Sequence, residues 1–461
     1  MSITDDLDHQ FSATYALRTP ASRALHERAS LVMPGGDTRS GTFYPPYPTF
    51  MARGEGCELV DVDGNRYVDF LGNYTSLIHG HAEPTISAAI SEQVRRGTAL
   101  GYPGELQIQL AEVLAERVPS LERLRFCNSG TEAVMHAIRC ARAYTGRRMI
   151  VKIEGGYNGA YDTAQVSVAP GDHALPYPSG VPEGPGLSPG LLAEVLVAPF
   201  NDLEKLRWIL ERYGRDVAAV LVEPVVSFAG MLLPHDGYLE GVVSAARSVG
   251  ALTIFDEIVT FRLSYGGVQE MTGVTPDLTT LAKIIGGGLP VGAFGGRADV
   301  MAVFDPRRTG TISHSGTYNG NSATMAAGLA ALSAYGTEEI ARLAALGHRM
   351  RVGLQQELNR RGALGCVQGS GSLAHVHYCA GPVRNYRDGL RSPKYCSRLT
   401  HLGLLTRGYL IASRGMMAAN TAMTEAEVDG LCAAFGEVLD VGRDVYPQVG
   451  VGTPEMAGSG L

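Results

Sequence analysis

At 461 residues, 45% of them hydrophobic, the chain is long enough for two domains or one large bilobed unit and apolar enough to bury a sizeable core. A net charge of −7 and a pI near 6.0 argue against nucleic acid or an anionic membrane as the main partner. No run of about 18 uncharged apolar residues is present to span a bilayer, the acidic start MSITDDLDHQF does not read as a signal peptide, and seven scattered cysteines without a C-x-x-C pair fit free thiols in a reducing cytoplasm, not a disulfide frame or zinc site.

Residues from about 8 to 32 read as one helix, with Leu17, Leu25 and Leu31 among polar neighbours. A Gly-, Pro- and Tyr-rich loop, MPGGDTRSGTFYPPYPTFMARGEG, carries Arg39 and Arg53. The alternation in CELVDVDGNRYVDFLGNY, with Asp63-Gly64 at its centre, predicts a hairpin. A helix begins after Pro84. From about Tyr102, helices (ELQIQLAEVLAERV, TEAVMHAIRCARAYTG, DLEKLRWILERYG, YLEGVVSAARSVG) alternate with strands (RLRFCN, RRMIVKIE, VAAVLVEP, ALTIFDE). Such alternation predicts a mainly parallel sheet covered by helices on both faces. After about Tyr335 a long helix, short mixed strands and a last helix, TEAEVDGLCAAFGEVLDVG, predict a smaller α+β domain. The tail VGTPEMAGSGL reads as flexible.

Residues 250–296 gather the chemistry. The apolar run Ala251-Leu252-Thr253-Ile254-Phe255 reads as a buried strand ending in the carboxylates Asp256 and Glu257. Ligands of open α/β sheets bind at the carboxyl ends of strands, so acids placed there are candidates for chemistry. Lys283 stands between Leu281-Ala282 and Ile284-Ile285, and Gly286-Gly287-Gly288 follows. Lysine is rarely buried without a task, and burial lowers its pKa and makes the amine a usable nucleophile. The chain has four lysines. Lys205 lies on an amphipathic helix, Lys394 in a polar run, and Lys152 follows a short strand, where it reads as a surface residue. Lys283 reads as a reactive amine or, equally, as a lysine snorkelling from a helix end.

Other stretches share that end of the sheet. Asn128-Ser129-Gly130-Thr131-Glu132 joins a strand to a helix whose Val134, Ile138 and Ala141 share a face. Free N–H groups and the dipole at a helix start bind phosphate, although Ser, Thr and Asn also serve as ordinary caps. Tyr157, in Gly155-Gly156-Tyr157-Asn158-Gly159, offers an aromatic face for a flat ligand, or simply packs. Glu223-Pro224 ends one strand and Asp256 the next, and a buried Asp can hold a heteroaromatic nitrogen protonated. Thr317, in Gly316-Thr317-Tyr318-Asn319-Gly320-Asn321, precedes a helix and is either a phosphate donor or part of a glycine-rich turn.

These motifs, in this order, resemble the class III, fold-type I aminotransferases, which use pyridoxal 5′-phosphate (PLP). The resemblance runs from about Leu31 to Val438, and its most specific piece is Asp256-Glu257-Ile258 followed by TPDLTTLAKIIGGGLPVGAFGGR. It implies an α/β fold-type I PLP transferase. A large domain with a mainly parallel seven-stranded sheet flanked by helices would occupy residues 61–334. A smaller α+β domain would occupy 335–461, and an N-terminal segment, 1–60, would be shared between the small domain and a substrate loop. By motif, Lys283 would carry PLP as a Schiff base and Asp256 would pair with the pyridine nitrogen. Ile258 and Tyr157 would cover the two ring faces. Ser129, Gly130 and Thr131 would bind the phosphate, and Glu223 would stand by the 3-hydroxyl. Thr317 would reach the phosphate of a neighbouring subunit's cofactor, making a homodimer with shared sites. The sequence departs from the family pattern at Asn158, where His usually follows the Tyr, and at Val226-Ser227-Phe228-Ala229, where many relatives carry smaller residues.

The loop PGGDTRSGTFYPPYP resembles that of glutamate-1-semialdehyde aminomutases and, more closely, that of β-amino-acid (β-phenylalanine) aminotransferases. In the latter group Arg39 would grip a substrate carboxylate, Arg414 would match a second arginine on the substrate side, and Tyr74 would form an aromatic wall. The implied reaction moves an amino group from a β-amino acid or related amine to a keto acid, 2-oxoglutarate or pyruvate. The alternatives are a glutamate-1-semialdehyde 2,1-aminomutase and an amine:pyruvate transaminase. A nucleotide-binding dehydrogenase would need a G-x-G-x-x-G between an early strand and helix, which the chain lacks.

Overall fold

Pro20 divides the N-terminal helix that the pattern suggests as one. In the computed structural model, which describes residues 3–450, the segment forms two helices, Ile3–Arg18 and Pro20–Ser30. Proline cannot continue a helix but suits the first turn of a new one. The tail VGTPEMAGSGL lies outside the described residues.

The chain divides into two units. One takes the residues through Gly72, then Ala345–Val383, and those from Gly389 onward; the other takes Asn73–Ala344 and Arg384–Asp388. In the first unit, β1 (Met51–Glu55), β2 (Glu58–Asp61) and β3 (Arg66–Asp69) run antiparallel. The expected hairpin lies between β2 and β3, with Gly64 at φ +87° supplying the left-handed turn position.

The second unit holds the large sheet: β4 (Arg123–Cys127), β5 (Met149–Ile153), β6 (Val195–Ala198), β7 (Val217–Val222), β8 (Leu252–Asp256), β9 (Leu278–Ala282) and β10 (Gly292–Gly296). Their order across the sheet is β4-β10-β9-β8-β7-β5-β6. The run from β9 to β6 is parallel, and β10 pairs antiparallel with both β9 and β4. The expected mainly parallel seven-stranded sheet is therefore present. Helices Gly130–Thr145, Leu203–Tyr213 and Tyr238–Ser248 connect its strands. Val134, Ile138 and Ala141 share a buried face, as their spacing predicts, and pack with Ile150, Ala219, Ile254 and Phe294 of the sheet. Three glycines disguise β10 as a loop. A Cβ at Gly292 would stand 2.1 Å from the Ser129 carbonyl oxygen, so only glycine lets this strand run so close to the turn after β4.

Helix Thr337–Arg360 carries the chain back into the first unit. There β11 (Cys366–Gln368), β12 (Leu373–His377) and, after β13 (Tyr409–Leu410) has paired parallel with β3, β14 (Met416–Ala418) complete the strands. β11, β12 and β14 form an antiparallel sheet. The last helix, Glu425–Val441, starts with a capping box between Thr424 and Glu427. Among the described residues, no helix is long and apolar enough to cross a membrane.

Candidate active site

The carboxyl ends of β5, β7, β8 and β9 carry the polar residues of interest. Asp256, the last residue of β8, is buried and stands in register with Thr280 of β9. Its Oδ1 accepts bonds from Thr280 Oγ1 at 3.1 Å and from Ile258 N at 3.2 Å, and its Oδ2 accepts one from Asn158 Nδ2 at 2.8 Å. Burial pushes its pKa up, while these donors and the charge of Lys283 oppose the rise. A cation brought to this carboxylate would be strongly favoured.

Lys283 leaves β9 with φ +54°, a left-handed conformation uncommon for a residue with a side chain. The tight turn Lys283–Gly286 follows, and Gly287 and Gly288 continue it at φ +56° and +92°. The residue keeps some exposure, yet desolvation of its amine is the main influence and lowers its pKa. Asp256 and Glu223 pull the other way, and Arg262 adds to the lowering. Lys283 thus stands where β9 ends and a one-turn helix begins, with the acids Asp256 and Glu223 acting on its amine.

Glu223 follows β7. Its Oε1 accepts from Tyr157 N at 2.8 Å and its Oε2 from Ser227 Oγ at 2.7 Å. Burial, helped by the charge of Asp256, pushes its pKa up to about 7. Tyr157 is half exposed and its ring stacks on Phe228, with centroids 5.7 Å apart. Lys152 corrects the surface reading: it is fully buried between β6 and β7, and Nζ donates to Gly156 O at 2.5 Å. Its pKa is pushed down to about 8 by burial, against the pull of Glu223, Glu183, Asp256 and Glu154.

Ser129 caps helix Gly130–Thr145, its Oγ accepting from Glu132 N at 3.2 Å. The first N–H groups of that helix have no partner within it. A Cβ at Gly130 would stand 2.7 Å from Ile258 Cδ1, so this glycine and Ile258 are in close contact. Thr131 Oγ1 accepts from Ala160 N at 3.1 Å, joining the cap to the loop that carries Tyr157 and Asn158. Asn128 Nδ2 donates to Asn319 Oδ1 at 2.8 Å, which ties the 316–321 turn to the same cap. Thr317 itself is exposed on that turn, and Asn321, not Thr317, caps helix Ser322–Ser333.

The paired carboxylates after β8 part company. Glu257 accepts bonds from Thr260 Oγ1 and the backbone N–H groups of Val268 and Gln269, so it organises the following loop. Two features went unread in the sequence. Arg262 is buried and its Nη1 donates to Thr75 O at 3.2 Å. Gly72–Thr75 is a left-handed turn, with φ of +53°, +47°, +54° and +73° along it, and it carries Tyr74. Three successive side-chain-bearing residues there cost roughly 1–2 kcal/mol each. Of the three residues assigned to substrate, Tyr74 belongs to the second unit, while Arg39 and Arg414 are exposed residues of the first.

The chain belongs to the class-III aminotransferase family, which it matches over residues 41–438. It is therefore a PLP-dependent enzyme of the class that works on an amine donor and a keto acid. It is 42% identical over 427 residues to a glutamate-1-semialdehyde 2,1-aminomutase from Desulforudis audaxviator, covering 91% of this chain and 97% of that one. It is 40% identical over 421 residues to the β-phenylalanine transaminase of Variovorax paradoxus, covering 91% and 93%. A solved transaminase with PLP bound superposes with a TM-score of 0.87 at 36% identity, covering 92% of this chain and 99% of that one. The residues fit such a group: a buried acid suits a ring nitrogen, a lysine of lowered pKa suits an aldehyde, and an open helix start suits a phosphate.

Proposed function

We propose that this chain is a transaminase that takes the amino group of a β-amino acid or related amine and passes it to a keto acid, 2-oxoglutarate or pyruvate. The observation that carries the cofactor chemistry is the constellation of buried Asp256, Asn158, Thr280 and Glu223 with the desolvated amine of Lys283 at one end of the sheet, and the likeness to a β-phenylalanine transaminase supports the donor. When bound, PLP supplies an electron sink conjugated to the reacting carbon. Asp256, held by Asn158, Thr280 and Ile258 N, would keep the ring nitrogen protonated. Tyr157 and Ile258 would flank the ring, Glu223 would serve its 3-hydroxyl, and Ser129, Gly130 and Thr131 would hold the phosphate. The amine of Lys283 would hold the cofactor and, once released, would accept the proton from the substrate carbon and give it back. Arg39 and Arg414 bind carboxylates of donor and acceptor as two-pronged donors, and Tyr74 bounds the amine.

Thr317 serves the phosphate of a second copy, so the working form is a homodimer. Its exposure supports this, as do the exposed apolar side chains Leu100, Tyr102, Ile108 and Tyr318. Seven free cysteines suit a cytoplasmic enzyme. The likeness to an aminomutase supports a second reading, the 2,1-rearrangement of glutamate-1-semialdehyde, which needs no separate acceptor.

The test is a half-reaction. The PLP form mixed with an aromatic β-amino acid, without acceptor, is expected to lose its Schiff-base absorbance. Arg39→Ala is expected to slow this by about 10²-fold through loss of a charge-assisted pair. Conversion by glutamate-1-semialdehyde instead would favour the second reading. The lowered pKa of Lys283 gives a further expectation. PLP uptake by the apoenzyme should quicken as the pH rises and Lys283 loses its proton, and level off below the ordinary lysine value of about 10.4. A rate still climbing at that value would mean a water-like lysine.

A further inference from the structure

Lys152 has no place in the chemistry described so far, yet it is the more deeply buried of the two lysines at this end of the sheet. It is the fourth of five residues in β5, opposite Val197 on one side and Leu221 on the other. Such a position ordinarily takes an aliphatic residue, because an ammonium moved there from water loses its hydration. The loss is met by specific groups. Nζ donates to the carbonyls of Gly156, at 2.5 Å, and Ile153, at 3.4 Å, and Glu223, Glu183, Asp256 and Glu154 all act on its charge.

Gly156 lies at the centre of the turn that presents Tyr157 and Asn158. Every residue of that turn is tied down. Glu154 takes two bonds from Arg387, both at 2.9 Å, and Gly155 N donates to Ser167 O at 2.9 Å. Tyr157 N is held by Glu223 and the Asn158 side chain by Asp256. Gly156 is pressed against the same groups, since a Cβ on it would stand 3.4 Å from Glu223 Oε1 and 3.5 Å from Asn158 Oδ1. Lys152 is thus a further tie on the turn, at the Gly156 carbonyl, and it carries the opposite charge to the two acids that accept bonds from Tyr157 N and Asn158.

We propose that Lys152 is a positioning residue for the cofactor ring: it fixes the Gly156 carbonyl and balances Glu223 and Asp256, so that Tyr157 and Asn158 hold one orientation against the ring. The proposal rests on the assignment of this sheet end as the PLP site. The apoenzymes of the wild type and of Lys152→Met are titrated with PLP, the induced circular dichroism of the bound cofactor is recorded at saturation, and the thermal midpoint of each apoenzyme is measured. K152M is expected to shift its apo midpoint little, since the lost bond is offset by relief of the ammonium's burial, to bind PLP roughly tenfold more weakly because the Gly156 turn is no longer held in one orientation, and to show diminished induced dichroism. Wild-type affinity and dichroism in K152M overturn the proposal. So does a loss of affinity matched by a large fall in the apo midpoint, which would make the lysine a support of the sheet alone. If K152M does not fold, Lys152→Gln is read by the same criteria, and failure of both to fold also overturns the proposal. Lys283→Ala separates this from the site assignment: retention of Schiff-base absorbance in that variant sinks the assignment, whereas a K152M result alone leaves it standing.

Discussion

Lys283→Ala is expected to lose the Schiff-base absorbance and to cut transamination by on the order of 10⁴-fold or more, while the protein still folds and holds PLP non-covalently. The fold should tolerate the change, because the left-handed backbone at φ +54° is imposed by the turn into Gly286, Gly287 and Gly288 and is no worse for alanine than for lysine. Removing a desolvated amine also removes its burial cost. The cap at Ser129 and the acid at Asp256, assigned to the phosphate and the ring in the proposed function, are untouched by the change. The two functions of the amine, attachment and proton movement, vanish together, so the effect exceeds that of losing either alone. Absorbance and single-turnover assays on the same sample decide the matter; an undiminished Schiff-base band would move the reactive amine elsewhere.

Asp256→Asn is expected to fold normally and to lower turnover by on the order of 10³-fold. An asparagine can keep its carbonyl oxygen toward Ile258 N and Thr280 Oγ1 and turn its amide toward Asn158, whose own amide then flips. What is lost is the charge. On the proposed function, a ring nitrogen beside this side chain would then give up its proton and the electron sink would weaken. Glu223 provides an internal check. Its pKa is raised first by burial and next by Asp256, so removing that negative charge is expected to let it fall back from about 7 toward the ordinary carboxylate range. A variant with full activity would show that the acid serves the sheet and not the ring.

Lys283 and Asp256 were legible because their signals are local: an apolar run that ends in an acid, and a lysine between apolar pairs before three glycines. The groups that make those residues work were not. Asn158 reaches Asp256 from another loop, and Thr280 does so only because β8 and β9 pair in one register, which neither strand specifies by itself. Lys152 was misplaced for a related reason. The run Met149-Ile150-Val151-Lys152 looks like a strand reaching the surface, and four acids, three of them distant in sequence (Glu183, Glu223 and Asp256) and one its near neighbour Glu154, are what permit the cation to stay inside. The left-handed turn at Gly72–Thr75 has one glycine, so nothing in its residue types announces Asn73, Tyr74 and Thr75 at positive φ. Segment Arg384–Asp388 reads as a polar loop, yet Arg387 belongs to the second unit through its bonds to Glu154.

The order in which the strands are made differs from the order in which they pair. β4, with the Ser129 cap at its end, is the first strand of the large sheet to be synthesised, but its neighbour in that sheet is β10, the last. A growing chain therefore exposes β4 as an unpaired edge until Gly292–Gly296 has left the ribosome, and by then Lys283 has already emerged. The strand end that carries Lys283 and the helix cap at Ser129 are joined through β10, which pairs with both β9 and β4. A chain truncated before β10 is accordingly expected to keep β4 as an open strand edge, prone to pair with another chain.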